Sequence, residues 1–141
     1  MLPEEIHFHG QITQKALIKR GEEFLMVLCS DNGKAAGLWD MPGGRLNEGE
    51  SPLEGLQREV REEIGAEIVI GNVLGTGVLT NMSNKRSFVV IHAATLLFPE
   101  TDFVLQSKEV ARAEWFSKEA VLDLPIIYPV YFEILKRIWS I

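Results

Sequence analysis

Glu59, Glu62 and Glu63 stand at i, i+3 and i+4 within GGRLNEGESPLEGLQREVREEIG, Gly43 to Gly65. On a helix this spacing gathers three carboxylates on one side. Like charges one turn apart destabilise a helix by roughly 0.2–0.5 kcal/mol per pair, so a partner outside the helix is expected to offset the repulsion. Three oxygen donors suit a hard cation such as Mg²⁺ or Mn²⁺. The PGG upstream, Pro42 to Gly44, reads as a tight turn whose carbonyls can point at the same ion, because glycine tolerates close backbone approach. Arg58 can pair with Glu50 or orient Glu59. Without these neighbours the same pattern would be a solvated acidic face.

The elements that must position these groups have clear signals. Ser51 suits an N-cap, Pro52 the first helical position, and Glu54 three residues on completes a capping box. Gly65 is placed to end the helix in a left-handed conformation. At helical spacing, Leu53, Leu56, Val60 and Ile64 form an apolar stripe facing the core, with the glutamates on an adjoining arc. Gly55 falls in that acidic arc, where a missing side chain leaves room for a ligand at a cost of about 1 kcal/mol relative to alanine.

Around this helix the chain alternates with period two. QITQKALIKRG and EEFLMVLCS read as a hairpin across Arg20, Gly21 and Glu22, DNGKAAG as a loop, and LWDMP as a short strand ending at Pro42. AEIVIGNVLGTGVLT and KRSFVVIHAATLLF read as long strands around the loop NMSN, and ARAEWFS as a shorter one. Ser117 can cap a short helix, KEAVLDL, broken by Pro125, and PVYFEILKRIWSI reads as a closing helix. The sum is a mixed sheet with helices on its faces.

The chain has 141 residues, the size of one domain, so residues 1–141 are expected to form a single one. A formal net charge of −6 argues against partners such as polynucleotide or anionic membrane, which need clustered Lys and Arg. A small phosphorylated ligand remains compatible if a metal supplies positive charge. Cys29 is the only cysteine; it excludes an internal disulfide and reads as a buried structural thiol. His7 and His9 alternate without a third ligand and read as polar strand residues rather than a zinc site. The opening MLPEEIHFHG lacks the apolar run of a signal peptide, and no stretch approaches the ~20 apolar residues needed to cross a bilayer. A soluble cytoplasmic protein, monomer or homodimer, is expected.

The stretch from Gly44 to Gly65 resembles the signature of the Nudix hydrolases: a glycine, five residues, Glu, seven residues, then Arg-Glu-aliphatic-x-Glu-Glu-x-Gly-aliphatic. Gly44, Glu50, Arg58, Glu59, Val60, Glu62, Glu63 and Gly65 stand at those positions, and Ala66 replaces a bulkier aliphatic at a packing position. The strand order on both sides and LWDMPGG extend the likeness over nearly the whole chain. The resemblance implies an α+β fold, an α/β/α sandwich with a mixed β-sheet, and hydrolysis of a nucleoside diphosphate linked to another moiety. It implies that Glu59, Glu62 and Glu63 hold Mg²⁺ together with the Gly43 carbonyl. It further implies a glutamate from a later loop as metal ligand or general base, Glu109 or alternatively Glu114.

Such chemistry has its own logic. Divalent metal neutralises an anionic pyrophosphate, lowers the pKa of bound water and aligns it on phosphorus, and Glu59 or Glu109 can take the proton. For the substrate, Lys34, Lys85 and Arg86 could reach phosphates or be solvated loop charges. Trp39 and Phe88 could stack on a base or pack in the core. Some relatives that cleave ADP-ribose or dinucleoside polyphosphates carry a Pro or Tyr about sixteen to eighteen residues beyond the box, where LTNMSNKR has neither. This favours a (d)NTP pyrophosphohydrolase, including one that sanitises oxidised nucleotides. The alternatives are an ADP-ribose or nucleotide-sugar pyrophosphatase and a silent nucleotide sensor, against which the full carboxylate set speaks.

Overall fold

The computed structural model describes residues 7–30, 33–105 and 108–141. In chain order the elements are β1 Gln11–Arg20, β2 Glu23–Cys29, β3 Trp39–Asp40, β4 Gly43–Arg45, α1 Pro52–Ile64, β5 Ile68–Thr80, β6 Arg86–Leu96, β7 Val110–Ser117, α2 Lys118–Leu122 and α3 Pro129–Ile138. The expected hairpin, long strand pair and closing helix are all present. The strands form one mixed sheet in the order β3-β2-β1-β6-β5, with β4 on β1 and β7 on β2. Only β1 and β6 run parallel among these pairs, from Gln11 opposite Ser87 to Ile18 opposite Ala94.

Period-two alternation sends each strand's side chains to opposite faces, and both faces are covered. Ala16, Ile18, Leu25, Val27, Ala94 and Leu96 pack beneath Leu56, Val60 and Ile64 of α1. On the other face Leu17, Phe24, Met26, Val89 and Ile91 meet Val121 of α2 and Tyr131, Ile134 and Leu135 of α3. The fold is therefore the α/β/α sandwich with a mixed sheet that the resemblance implied.

Several local expectations are corrected. Leu53 is 52% exposed and stands outside the stripe, because helical angle says nothing of axial position and this first turn lies beyond the packed layer. Gly55 leaves no room for a ligand: a Cβ there would lie 2.8 Å from Leu46 and 3.2 Å from Glu50. PGG is no tight turn, since Gly43, Gly44 and Arg45 pair antiparallel with Lys15, Gln14 and Thr13. His7 and His9 precede β1, outside any strand. Cys29 is only partly buried, and burial pushes its thiol up to about 11, so it is protonated at neutral pH.

The sheet opens beside β1. One edge of β1 pairs with β6 along most of its length; the other takes β4 at Thr13–Lys15 and β2 only at Lys19 and Arg20. The segment that passes between them is tied by Ala16 N–H donating to the Pro42 carbonyl at 2.8 Å. Gly43 is forced by this close approach: its φ is +138° and a Cβ would fall 2.1 Å from the Gln14 carbonyl oxygen. No helix among the described residues is long and apolar enough to cross a membrane.

Candidate active site

Helix α1 begins where the sequence says it should. Ser51 Oγ accepts from the Glu54 amide, Pro52 occupies the first turn, and Gly65 closes the helix at φ 69°. From β1, Gln14 Nε2 donates to the Pro52 carbonyl at 2.6 Å, and its Oε1 meets His92 Nε2 at 2.9 Å. Since Gln14 gives its amide protons to Pro52, His92 donates here. This buried pair, on β1 and β6, fixes the start of the acidic helix against the sheet.

At the splayed edge lies a cleft of about 260 Å³. The acidic part of its wall is Glu59 and Glu63 of α1, Gly43, Gly44 and Arg45 of β4, Lys15, Asp40 and Glu109. The rest of the lining includes Leu79, Asn81, Ser87, Ile127, Tyr128 and Tyr131. Gly44 is required on the acidic side, because a Cβ would sit 2.5 Å from the Glu59 carboxylate.

The three glutamates have different surroundings. Glu62 is 57% exposed along its side chain and meets Arg58 Nη1 at 3.1 Å. Glu59 takes the same Nη1 at 3.1 Å, and burial raises its carboxyl pKa against the pull of Arg58. Glu63 is 7% exposed and accepts from the Gly43 amide at 3.1 Å. Burial pushes its pKa up to about 8, with Lys15 opposing. Arg58 completes the cluster by donating from Nε and Nη2 to the two Glu50 oxygens at 2.5 and 2.9 Å. These bonds hold the Glu50 carboxyl down at about 2. The repulsion on α1 is thus offset by one guanidinium that serves Glu50, Glu59 and Glu62, whereas Glu63 receives none of it.

Lys15 was not singled out in the sequence, although a lysine inside ITQKALI is a readable signal. Its Nζ donates to Asp40 Oδ2 at 2.9 Å and to the Gly43 carbonyl at 3.4 Å. Burial would lower its pKa, but Asp40, Tyr131 and Glu63 together raise it, so it stays charged. Tyr128 and Tyr131, packed edge to face at 5.6 Å, were also missed. They sit in a tail that offered only an apolar helical pattern.

Of the later glutamates, Glu109 lines the cleft, its carbonyl accepting from the Ser30 amide at 2.9 Å. Glu114 lies on β7, ion-paired with Arg112, and does not line it. Nor do Lys34, Trp39 and Arg86. Lys34 donates to the Met82 carbonyl at 3.3 Å, and Arg86 lies over the Phe8 ring. Trp39 is 8% exposed and packs edge-on to Phe116, the core alternative. Phe88 meets Phe8 edge-on. Among the described residues, no three His, Cys, Asp or Glu groups already surround one point as ligands would; Arg58 holds Glu59 and Glu62 instead.

Comparison with known proteins agrees with this geometry. Residues 12–138 match the family model described as NUDIX domain. The chain is 30% identical over 111 residues to the CTP pyrophosphohydrolase of Escherichia coli K12, covering 79% of this chain and 78% of that protein. It is 30% identical over 122 residues to diphosphoinositol polyphosphate phosphohydrolase 2 of Rattus norvegicus, covering 84% and 65%. The crystal structure of a MutT protein from Methanosarcina mazei Go1 superposes with a TM-score of 0.80 at 30% identity, covering 92% of this chain and 93% of that one. An acidic helix framed by Gly44 and Gly65, a sandwich fold and a family match across nearly the full length converge: the chain belongs to the Nudix hydrolases, a family of pyrophosphohydrolases that generally use divalent metal ions.

Proposed function

We propose that the cleft hydrolyses a nucleoside triphosphate, (d)NTP and water giving nucleoside monophosphate and pyrophosphate, with Mg²⁺ or Mn²⁺ as cofactor and oxidised nucleotides among its substrates. The observation that carries this reading is one cleft lined by the carboxylates of Glu59, Glu63 and Glu109 beside the backbone of Gly43 and Gly44. Burial raises the Glu63 pKa beyond what Lys15 alone offsets, so a further cation bound in the cleft would favour its charged form. The donor set of Glu59, Glu62, Glu63 and Glu109 is all oxygen, which fits Mg²⁺ or Mn²⁺ rather than zinc. The Gly43 carbonyl, the further donor implied by the family, is shared with Lys15.

A bound divalent ion would neutralise the anhydride oxygens and lower the pKa of water. The chain's own groups do the rest. Arg58 orients Glu59, and Glu59 or Glu109 takes the proton of the attacking water. The water oxygen bonds to phosphorus as the bridging P–O bond breaks, and pyrophosphate leaves. Tyr128 and Asn81 line the same cleft and would bound the space for a base. The name of the E. coli relative, a CTP pyrophosphohydrolase, supports the triphosphate class. In this reading residues 1–141 act as one domain in the cytoplasm.

A second reading has an observation of its own. Beyond Arg45 and Glu59 lies a groove of about 620 Å³ flanked by Gly10 to Ile12 and Leu46 to Glu48. It has room for a second polar moiety, as an ADP-ribose or nucleotide-sugar pyrophosphatase needs. Purified protein with Mg²⁺, given triphosphates, oxidised triphosphates, ADP-ribose and nucleotide sugars, distinguishes the two when products are identified by mass. Monophosphate and pyrophosphate from a triphosphate are expected. Turnover of ADP-ribose or a nucleotide sugar alone would select the second reading, and binding without turnover of any would select a sensor.

A further inference from the structure

Lys15 is a buried cation that the proposed chemistry leaves unused. It lies in mid-strand with 6% of its surface exposed, and Asp40 and the Gly43 carbonyl take two of its protons. An ammonium has three; the third is left for the cleft that Lys15 lines. Gly43 is gripped from both ends, its amide donating to Glu63 and its carbonyl accepting from Lys15. The positive charge thus sits beside a carbonyl that a metal would otherwise use, on the same wall as Glu59 and Glu63.

We infer that the Lys15 ammonium takes the place of one divalent cation, so that this chain binds fewer metal ions than its oxygen donors could hold. The inference rests on the metal-dependent reading of the same cleft. Like charges this close repel more strongly in a partly desolvated cleft than in water, so the ammonium lowers the affinity for an ion at the Gly43 carbonyl. Asp40 keeps it from withdrawing. With substrate present, the third proton is donated to a non-bridging phosphate oxygen, stabilising charge that another metal would otherwise neutralise. An ion pair that merely tied β1 to β3 would leave metal binding unchanged.

Mn²⁺ titration of metal-free protein, with the free ion read by electron paramagnetic resonance, separates the two. The first variant, Lys15→Met with Asp40→Asn, removes the pair together and leaves no lone buried charge or new carboxylate ligand. The second, Lys15→Gln, keeps a hydrogen bond to Asp40 and decides the matter if the first does not fold by circular dichroism. Glu59→Gln with Glu63→Gln is the control for the site. One additional Mn²⁺ per chain, or about tenfold tighter binding, is expected in the folded Lys15 variants, with binding lost in the control. Wild-type count and affinity in a folded Lys15 variant, with binding still lost in the control, would overturn the inference alone. Undiminished binding in the control, or none in the wild type, would overturn the metal reading and the inference with it.

Discussion

The wall of the cleft that carries Glu59 and Glu63 and the wall that carries Tyr128 and Tyr131 are built in different ways. Most of the first comes from one continuous stretch, Gly43 to Gly65, in which a three-residue strand and a capped helix bring glycine amide and carboxylate together. The second is assembled from the end of β5, the loop after it, the start of β6 and the entry to α3, residues 79 to 131 of the chain. In the proposed reading the difference separates chemistry from selectivity. Anhydride hydrolysis needs charges held at fixed spacing, which a helix supplies within two turns. Recognition of a particular base needs a surface that only the finished fold brings together.

The largest expected effect lies on the acidic wall. Glu63→Gln keeps shape and removes charge, so the fold should survive while kcat falls by ~10²–10⁴ as metal or activated water is misplaced. Initial rates at saturating Mg²⁺ measure it, and a wild-type rate would place the chemistry elsewhere. In the other part of the lining the two tyrosines should part company. Tyr131 is almost fully buried, so Tyr131→Ala should destabilise by about 3–5 kcal/mol, as for other large aromatic truncations, read by chemical denaturation. Tyr128→Ala, at a partly exposed site, should instead raise KM about tenfold, near 1.4 kcal/mol, with kcat little changed. A fall in kcat equal to that of Glu63→Gln would erase the distinction between the walls.

A smaller, pH-dependent effect follows from Glu63. Its pKa rises from 4.5 to about 8 on folding, so between those values the folded state binds more protons than the unfolded. This contribution to stability is complete below about 4.5 and is lost as pH rises through about 8. Metal-free protein should therefore lose thermal stability across that window, and Glu63→Gln should flatten the profile. Melting curves in EDTA read it, and an unchanged slope in the mutant would assign the effect to another group. The smallest effect is at Leu53, where Leu53→Ala should change stability by no more than about 0.5 kcal/mol, against about 2–5 for Leu56→Ala.

Legibility follows the same division. Ser51, Pro52 and Gly65 act locally, so their capping roles could be read from neighbours in sequence. Glu63 could have been placed better: seven residues after Leu56, it lies only about 20° from it around the helix, within the buried stripe rather than beside it. Gly55 and the PGG segment misled because what fills the space next to them, Leu46 and Glu50 in one case and β1 in the other, is set by tertiary contact. Trp39 could be stacking surface or core until Phe116 was seen against it. Tyr128 carries no local mark at all; it becomes a cleft residue because α3 returns across the sheet.

Thermal unfolding with and without Mg²⁺ tests, independently of any substrate, whether the acidic wall holds a divalent ion. Mg²⁺ should raise the wild-type Tm, because it binds the folded arrangement and relieves Glu59, Glu62 and Glu63. The triple change of these residues to Gln should abolish that rise in a protein that still folds. An equal Mg²⁺-dependent rise in the triple variant would contradict the account, since the ion would then bind elsewhere.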